Sequence, residues 1–333
     1  MKITAITAMV SLQDLGRFGQ RRFGIGTSGA MDSWAVKAGN TLLNNSQNTV
    51  AIEVTLGGIT LAFDDSDVDA VTGDLTVCLT GALYEAYVTD DAKQTRERVP
   101  NGWRVAIKAG QCLELVRAIQ GMHGYICIQG GLALVPILGS ASTNAKAEFG
   151  GYHGRLLKVG DVLTVTDRQR PKLTRLGMTQ FEDSQNFATA QNVLPVIRIV
   201  KNSEADYFTQ DALSKLTEQP YKLLSSSNRM GYRLEGKHTL ELINPLQMNS
   251  HGVDIGMIQV PPQGQPIVLM ADAQTTGGYP KIASIIQADI GKFAQLRFGQ
   301  SCQFQWVTLE EAITAKQARQ RHIQQINTFA QEK

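Results

Sequence analysis

The sequence predicts a mainly β protein built from two domains, and three observations carry that expectation. The chain has 333 residues, about twice the ~150 typical of one domain. Short β-branched or alternating runs, punctuated by Gly, Asp, Asn or Pro, recur at close spacing, which marks an antiparallel barrel or sandwich rather than a βαβ sheet. The pattern lapses over a polar stretch at 167–192 and then restarts. The expected division is therefore an N-terminal β domain over 1–190, a second β domain over 191–307 and a C-terminal helix over 308–333.

In chain order, the opening MKITAITAMV reads as a first strand rather than a secretory leader. Threonines interrupt it, and Gln13-Asp14 stands where a small-residue cleavage site would lie. The expected location is the cytoplasm. One early helix follows: Asp32 or Ser33 caps it, 34–43 forms it, and Asn44-Asn45 ends it. Strands are expected at 50–55, 59–63, 75–79, 84–89, 103–107, 112–116, 125–128 and 162–165. After the polar stretch a strand at 193–200 resumes the pattern. Ser203 to Asp206 looks like a capping box opening a helix toward Leu216. Strands at 240–243, 257–260, 266–270 and 303–307 complete the second domain. Thr308-Leu309-Glu310-Glu311 is a second capping box, opening a helix to about Phe329.

Composition excludes several classes. Hydrophobic residues make up 43% and charged ones 19%, which is globular rather than disordered. No run approaches the ~18 apolar residues of a membrane span, and a net charge of +2 advertises no nucleic-acid or membrane footprint. Cys78, Cys112, Cys127 and Cys302 form no C-x-x-C pair and read as reduced thiols. The histidines show no metal-ligand spacing, so no metal is expected. A P-loop, a G-x-S-x-G elbow and a biotin-attachment tetrad are all absent from the sequence.

Two stretches carry chemistry. Gly24 to Gly29 fits G-x-G-x-x-G, but no strand precedes it, so a dinucleotide fingerprint is not its context. With Arg17, Arg21 and Arg22 nearby, it reads either as an anion-binding loop or as a solvated turn. The denser cluster runs through 226–233, 249–252, 259–262 and 265–281. There Asp272, Gln274, Thr275, Thr276, Tyr279 and Lys281 crowd around Gly277-Gly278 at the end of an apolar strand. Polar groups on a rigid strand end beside a glycine pair suit a small-molecule site. An Asx/ST-rich turn capping its own backbone is the alternative.

The same residues carry a family resemblance. The segments 13–19 (QDLGRFG), 29–32 (GAMD), 53–58 (EVTLGG), Gly130-Gly131, 139–143 (GSAST), Gly150-Gly151 with Gly154-Arg155, 227–233 (SNRMGYR), 250–252 (SHG), 259–261 (QVP) and 264–283 resemble the carboxyltransferase-type allophanate hydrolase subunit 2, or KipA-like, family. The resemblance covers nearly the whole chain. Leu15 departs from it, standing where members commonly carry glycine. The resemblance implies two cyclophilin-like antiparallel β-barrel domains with a few peripheral helices and a C-terminal helix. It implies an enzyme component, inactive alone, of an ATP-dependent 5-oxoprolinase that opens 5-oxo-L-proline to L-glutamate. The implied partners are a KipI-like protein and a LamB/YcsF-type protein, the other two components of that complex. ATP is the implied cofactor, held by this chain or by a partner. Two other readings stay open. One is a biotin-dependent carboxyltransferase of the urea carboxylase type. The other is a binding protein that antagonises a KipI-like kinase inhibitor.

Chemistry assigns expected roles to the clustered residues. Lys281, Arg229 and Arg17 are cations for a carboxylate or phosphate. Asn228, Gln274 and the Gly277-Gly278 amides are donors to a carbonyl or developing oxyanion. Tyr279 stacks on a ring or relays a proton, and Asp272 or His251 orients water or acts as base. Ser250, Thr275 and Thr276 complete the expected substrate contacts.

Overall fold

The computed structural model describes residues 1–68, 74–166, 171–179 and 194–332. The chain groups into two compact units, neither a single stretch. Unit one comprises Met1–Arg17, Asp32–Phe181 and Gln320–Lys333, and unit two comprises Phe18–Met31 and Glu182–Arg319. This differs from the contiguous ranges 1–190, 191–307 and 308–333 at two places. Residues 18–31 group with unit two because Arg21 and Gly29 bond to its loops, and the division falls inside the C-terminal helix. Most of the stretch expected to link the domains lies outside the described residues.

Unit one is an antiparallel sheet of eight strands: β1 (Lys2–Ile6), β2 (Met9–Gln13), β3 (Ala51–Thr55), β4 (Ile59–Ala62), β5 (Asp74–Asp90), β6 (Thr95–Arg98), β7 (Val105–Lys108) and β8 (Cys112–Ile128). The path runs β1-β4-β8-β3-β2, and β5 pairs with β6, β7 and β8. The expected strands 75–79 and 84–89 are one 17-residue strand, β5, and 112–116 and 125–128 are likewise joined in β8. Gly81, at φ 75°, turns the ladder without ending it, and the register shifts there. A bulge of this kind bends a strand and tightens its twist. The strand expected at 162–165 makes only isolated bridges, Lys2 to Val162 and Leu132 to Val165.

Helix α1 (Ser33–Leu42) starts as expected. The Asp32 side chain accepts the Ala35 N–H, satisfying one of the first-turn donors. The helix lies directly on the sheet, since a Cβ added at Gly39 would come within 2.6 Å of Cys127 Sγ and 2.9 Å of Thr80 Cγ2. Side chains that alternate with Cys127 point to the other face. There Val10, Leu12, Ile52, Val54, Leu61 and Ile126 form part of the main core, all fully buried. Each such side chain is worth roughly 1.5–3 kcal/mol of transfer free energy. The thiols are free, and Cys78 and Cys127, directly opposite one another on β5 and β8, are buried. Burial pushes the Cys127 thiol up to about 12, which keeps it protonated and inert.

Unit two holds a closed barrel of seven strands: β9 (Val196–Lys201), β10 (Pro220–Leu223), β11 (Gly231–Glu235), β13 (Met257–Gln259), β14 (Ile267–Leu269), β16 (Lys281–Ile285) and β17 (Ser301–Trp306). The two-residue strands β12 (His251–Gly252) and β15 (Thr276–Gly277) pair with each other outside that ring. Strands alternating in direction cannot close a ring of odd number. One neighbouring pair must run parallel, and here it is β9 with β17, the first and last strands of the barrel. Tyr221, Tyr232, Phe293 and Phe304 fill the barrel, with ring centroids 5.4–6.4 Å apart, within the range of favourable aromatic packing.

The helix expected from Ser203 is shorter. A single 3-10 turn covers Ala205–Tyr207, and α2 (Gln210–Glu218) starts only at Thr209, whose hydroxyl accepts the Ala212 N–H at 3.1 Å. Helix α3 (Ile290–Ala294) delivers Phe293 to the core. The capping box at the start of α4 (Leu309–Gln331) is formed as expected. Thr308 N donates to the Glu311 carboxylate at 2.7 Å, and Glu311 N donates to Thr308 Oγ1 at 3.2 Å. The fold is thus mainly β, with few helices and a C-terminal one. Among the described residues no helix is long and apolar enough to cross a membrane.

One loop of unit one depends on a buried carboxylate. Asp14, 2% exposed, accepts from Gly16 N, Ala141 N and the Ser140 and Ser142 hydroxyls at 2.5–2.8 Å. Hydrogen bonds to a charged group contribute ~1.5–3 kcal/mol each when intact. Asp14→Ala is therefore expected to lower urea-denaturation stability by about 3 kcal/mol, and Asp14→Asn by less. Equal midpoints for Asp14→Ala and the parent chain would refute this role.

Candidate functional site

The expected residues lie mainly in unit two, in three arrangements. The first is a clamp. Arg229 Nε donates to Asp272 Oδ2 at 2.8 Å and its Nη2 to Oδ1 at 3.1 Å, a bidentate fork. The same Nη2 donates to the Gly29 carbonyl at 2.6 Å, and Asp272 N donates to the Arg229 carbonyl at 2.8 Å. The fork joins the loop before β11 to the loop after β14. Arg229 is therefore not a free cation awaiting an anion, and the Asp272 carboxylate is held by a guanidinium rather than poised as a base. Asn228 joins the same turn, its side-chain oxygen accepting the Met230 N–H at 2.8 Å.

Arg21 acts in the same way on the neighbouring loop. Its guanidinium donates to the Val253 carbonyl, to the Gln274 carbonyl at 3.2 Å and to Thr27 Oγ1 at 3.3 Å. A 3-10 turn, not a strand, precedes the glycine loop 24–29. Arg17, expected to bind substrate, belongs to unit one and is fully buried. It donates to the carbonyls of Ile137, Ser140 and Ser142 at 2.9–3.3 Å. Main-chain carbonyls occupy it, so it serves the fold.

The second arrangement joins three titratable groups. Lys281 opens β16 and is only 2% exposed. Its ammonium lies 3.0 Å from Glu204 Oε1, and its backbone N–H donates to Glu204 Oε2 at 2.8 Å. His251, on β12, places Nε2 2.7 Å from Glu204 Oε1 and in contact with Lys281 Nζ, while Nδ1 lies 3.0 Å from the Asn249 carbonyl. The His251 side chain is 38% exposed. The cluster therefore runs from a buried ammonium to a solvent-facing imidazole. Burial raises the Glu204 carboxyl, but hydrogen bonds from the Lys281 amide and ammonium and from His251 outweigh that and hold it below the ordinary glutamate value. Nε2 can accept from the ammonium, or carry a proton donated to the carboxylate. Both are tautomer assignments of one hydrogen-bonded set, and such a set can pass a proton outward.

Glu204 was not among the expected site residues. It stands in a Ser-Glu-Ala-Asp run that reads as a helix cap, and only its bonds to the first residue of β16 reveal its second use. Gly277 is also used differently from expectation. A Cβ there would lie 2.6 Å from Gln259 Nε2, so the close approach is by the chain's own amide rather than a ligand. Gly278 faces the Met248 carbonyl and Ser250 Oγ. Ser250, Gln274 and Thr276 are exposed, and the Thr275 carbonyl accepts the Val253 N–H. Among the described residues no group of three or more His, Cys, Asp or Glu is arranged to hold a metal.

The third arrangement is a groove of about 350 Å³ in unit two, lined in part by Tyr279, Arg233 and Pro261. Tyr279 is 47% exposed and belongs to this groove, whereas Lys281 belongs to the titratable cluster.

The closed seven-stranded barrel and the eight-stranded sheet recur in a solved structure. That of the K. lactis urea amidolyase matches 98% of this chain and 20% of its own with a TM-score of 0.85, at 23% identity, a likeness of fold. The pattern named carboxyltransferase domain, subdomain A and B, matches residues 23–306, and the chain belongs to that family. It is 43% identical to the 5-oxoprolinase C subunit of Haemophilus influenzae over 99% of both chains. It is 40% identical to the Escherichia coli protein of the same name, over 98% of this chain and 97% of that one.

Two outcomes test the geometry. Removing Glu204 leaves a buried ammonium without its carboxylate, so Glu204→Gln is expected to cost about 3 kcal/mol or more in chemical denaturation, and Lys281→Met less. A carboxyl held low in the folded state stabilises it above the unfolded pKa of ~4.3. That contribution is lost as pH falls through the folded value, so acidification destabilises the parent chain more steeply than Glu204→Gln. Parallel acid profiles would count against the cluster. A double-mutant cycle over Arg229→Ala and Asp272→Ala is expected to give a coupling of about 1 kcal/mol or more, and additivity would count against the clamp.

Proposed function

We propose that this chain is the C subunit of a multi-subunit ATP-dependent 5-oxoprolinase, opening 5-oxo-L-proline to L-glutamate, active in the cytoplasm only with its partner proteins. The observation that carries the reading is end-to-end similarity, at 43% identity, to a relative that bears that name. The partners assigned are a KipI-like protein and a LamB/YcsF-type protein.

Ring opening adds water across a lactam C–N bond, and the departing nitrogen needs a proton. Lys281, Glu204 and His251 suit that task, because the exposed imidazole can hand outward a proton replenished from the buried ammonium. The residues present do not fit a nucleotide triphosphate. The glycine loop 24–29 follows a 3-10 turn, and Arg17, Arg21 and Arg229 are bonded to the protein's own carbonyls or carboxylate. ATP is therefore assigned to a partner protein, and no step of this chain is routed through it.

The test is ATP-dependent glutamate release from 5-oxo-L-proline by the native complex captured with this chain, with the lone chain as control. Activity in the complex alone is expected. His251→Ala and Lys281→Ala are expected to lower it by roughly 10²–10⁴-fold with assembly intact. An intact complex that released no glutamate would overturn the reading. A covalently biotinylated partner in such a complex would favour carboxyl transfer instead.

A further inference from the structure

We infer that the groove at Arg233 and Tyr279 is a binding site for a small cyclic monocarboxylate, with Arg233 holding the carboxylate. The inference rests on the proposed function only in the choice of 5-oxo-L-proline as a probe.

The groove measures about 350 Å³, at the small end of ligand pockets and suited to a compact metabolite. Its apolar walls include Pro261, Pro266 and Ile267, and Tyr279 adds an aromatic face. Pro261 and Pro266 carry no backbone N–H, so their walls offer apolar surface without an unsatisfied donor. A small ring packs well against such surfaces.

The polar element is a cation of a different kind from the other arginines of this unit. Arg21, Arg198 and Arg229 all spend their guanidinium on carbonyls or carboxylates. Among the described residues, none lies within ion-pair or hydrogen-bond distance of the Arg233 guanidinium. Its backbone is nonetheless fixed. Arg233 N donates to Ser227 Oγ at 2.9 Å, and its carbonyl accepts the Leu224 N–H at 3.0 Å. Its strand neighbours Tyr232 and Leu234 are each 1% exposed, so the strand holds it from within the barrel wall. The opposite rim is fixed too. The Gln265 carboxamide oxygen accepts Gly236 N at 2.8 Å and its nitrogen donates to the Gly236 carbonyl at 3.2 Å. A fork of donors on a rigid strand beside an apolar concavity matches a carboxylate on a small ring.

The experiment titrates the full chain by calorimetry and ligand-observed NMR with three probes: 5-oxo-L-proline, cyclopentanecarboxylate, and 5-oxo-L-prolinamide, which lacks the carboxylate. Both carboxylates are expected to bind, and the amide to bind at least tenfold more weakly. Arg233→Gln, with an unchanged melting temperature, is expected to weaken both carboxylates about tenfold or more. Equal binding of the amide, or carboxylate binding unchanged in Arg233→Gln, would overturn the inference, as would no binding of either carboxylate at millimolar concentration. Arg233-dependent binding of cyclopentanecarboxylate beside an intact complex that releases no glutamate would sustain the groove and sink only the proposed activity.

Discussion

Burying the Lys281 ammonium is the constraint around which the second unit is arranged. An isolated charge in a protein interior would shift its pKa or disrupt the fold. Glu204 removes the problem by using both oxygens, one for the Lys281 backbone N–H and one for its ammonium. A single side chain thus fixes the main chain and the side chain of the residue that opens β16. That strand lies between β13 and β9 in the ring, so its register bears on barrel closure. His251 is drawn to the same carboxylate oxygen, which brings the short strand β12 to the cluster. A charge that costs stability when unpaired therefore becomes the point where a 3-10 turn, a barrel strand and a peripheral strand meet.

The arginines follow a related logic with a different outcome. Arg17 and Arg21 bond mainly to main-chain carbonyls, and Arg198 and Arg229 fork onto Asp289 and Asp272. Loops that connect barrel strands leave many carbonyls without ladder partners, and a guanidinium with five donors satisfies several at once. These residues look like an anion-binding set when read along the sequence. In space they are fasteners for loops. Arg233 stands apart because its backbone, not its side chain, carries the structural bonds.

What could be read from the sequence follows how local each signal is. The α1 cap at Asp32 and the Thr308–Glu311 capping box are contacts three residues apart, and both formed where expected. The mainly β class was legible from alternation and turn residues. The fusion of 75–79 with 84–89 was not, because Gly81 signals a break equally well whether the ladder stops or bends. The partnership of Glu204 with Lys281 spans 77 positions, and that of Arg229 with Asp272 spans 43. Residue type marked Lys281, His251, Arg229 and Asp272 as chemically capable. Only the barrel register decides which of them neutralise one another.

That sorting narrows the chemistry. Asp272 was a candidate base on residue type, but a bidentate guanidinium stabilises its charged form and occupies the oxygens a base would use. His251 differs in both respects. One ring nitrogen is oriented by the Asn249 carbonyl and the other meets a carboxylate and an ammonium, while the ring remains partly open to solvent. An imidazole held in one orientation, linked to a buried proton source and facing outward, has the features of an acid that acts at a surface shared with another protein. Under the proposed function, the chain thus contributes proton transfer and carboxylate recognition, and nucleotide chemistry falls to its partners.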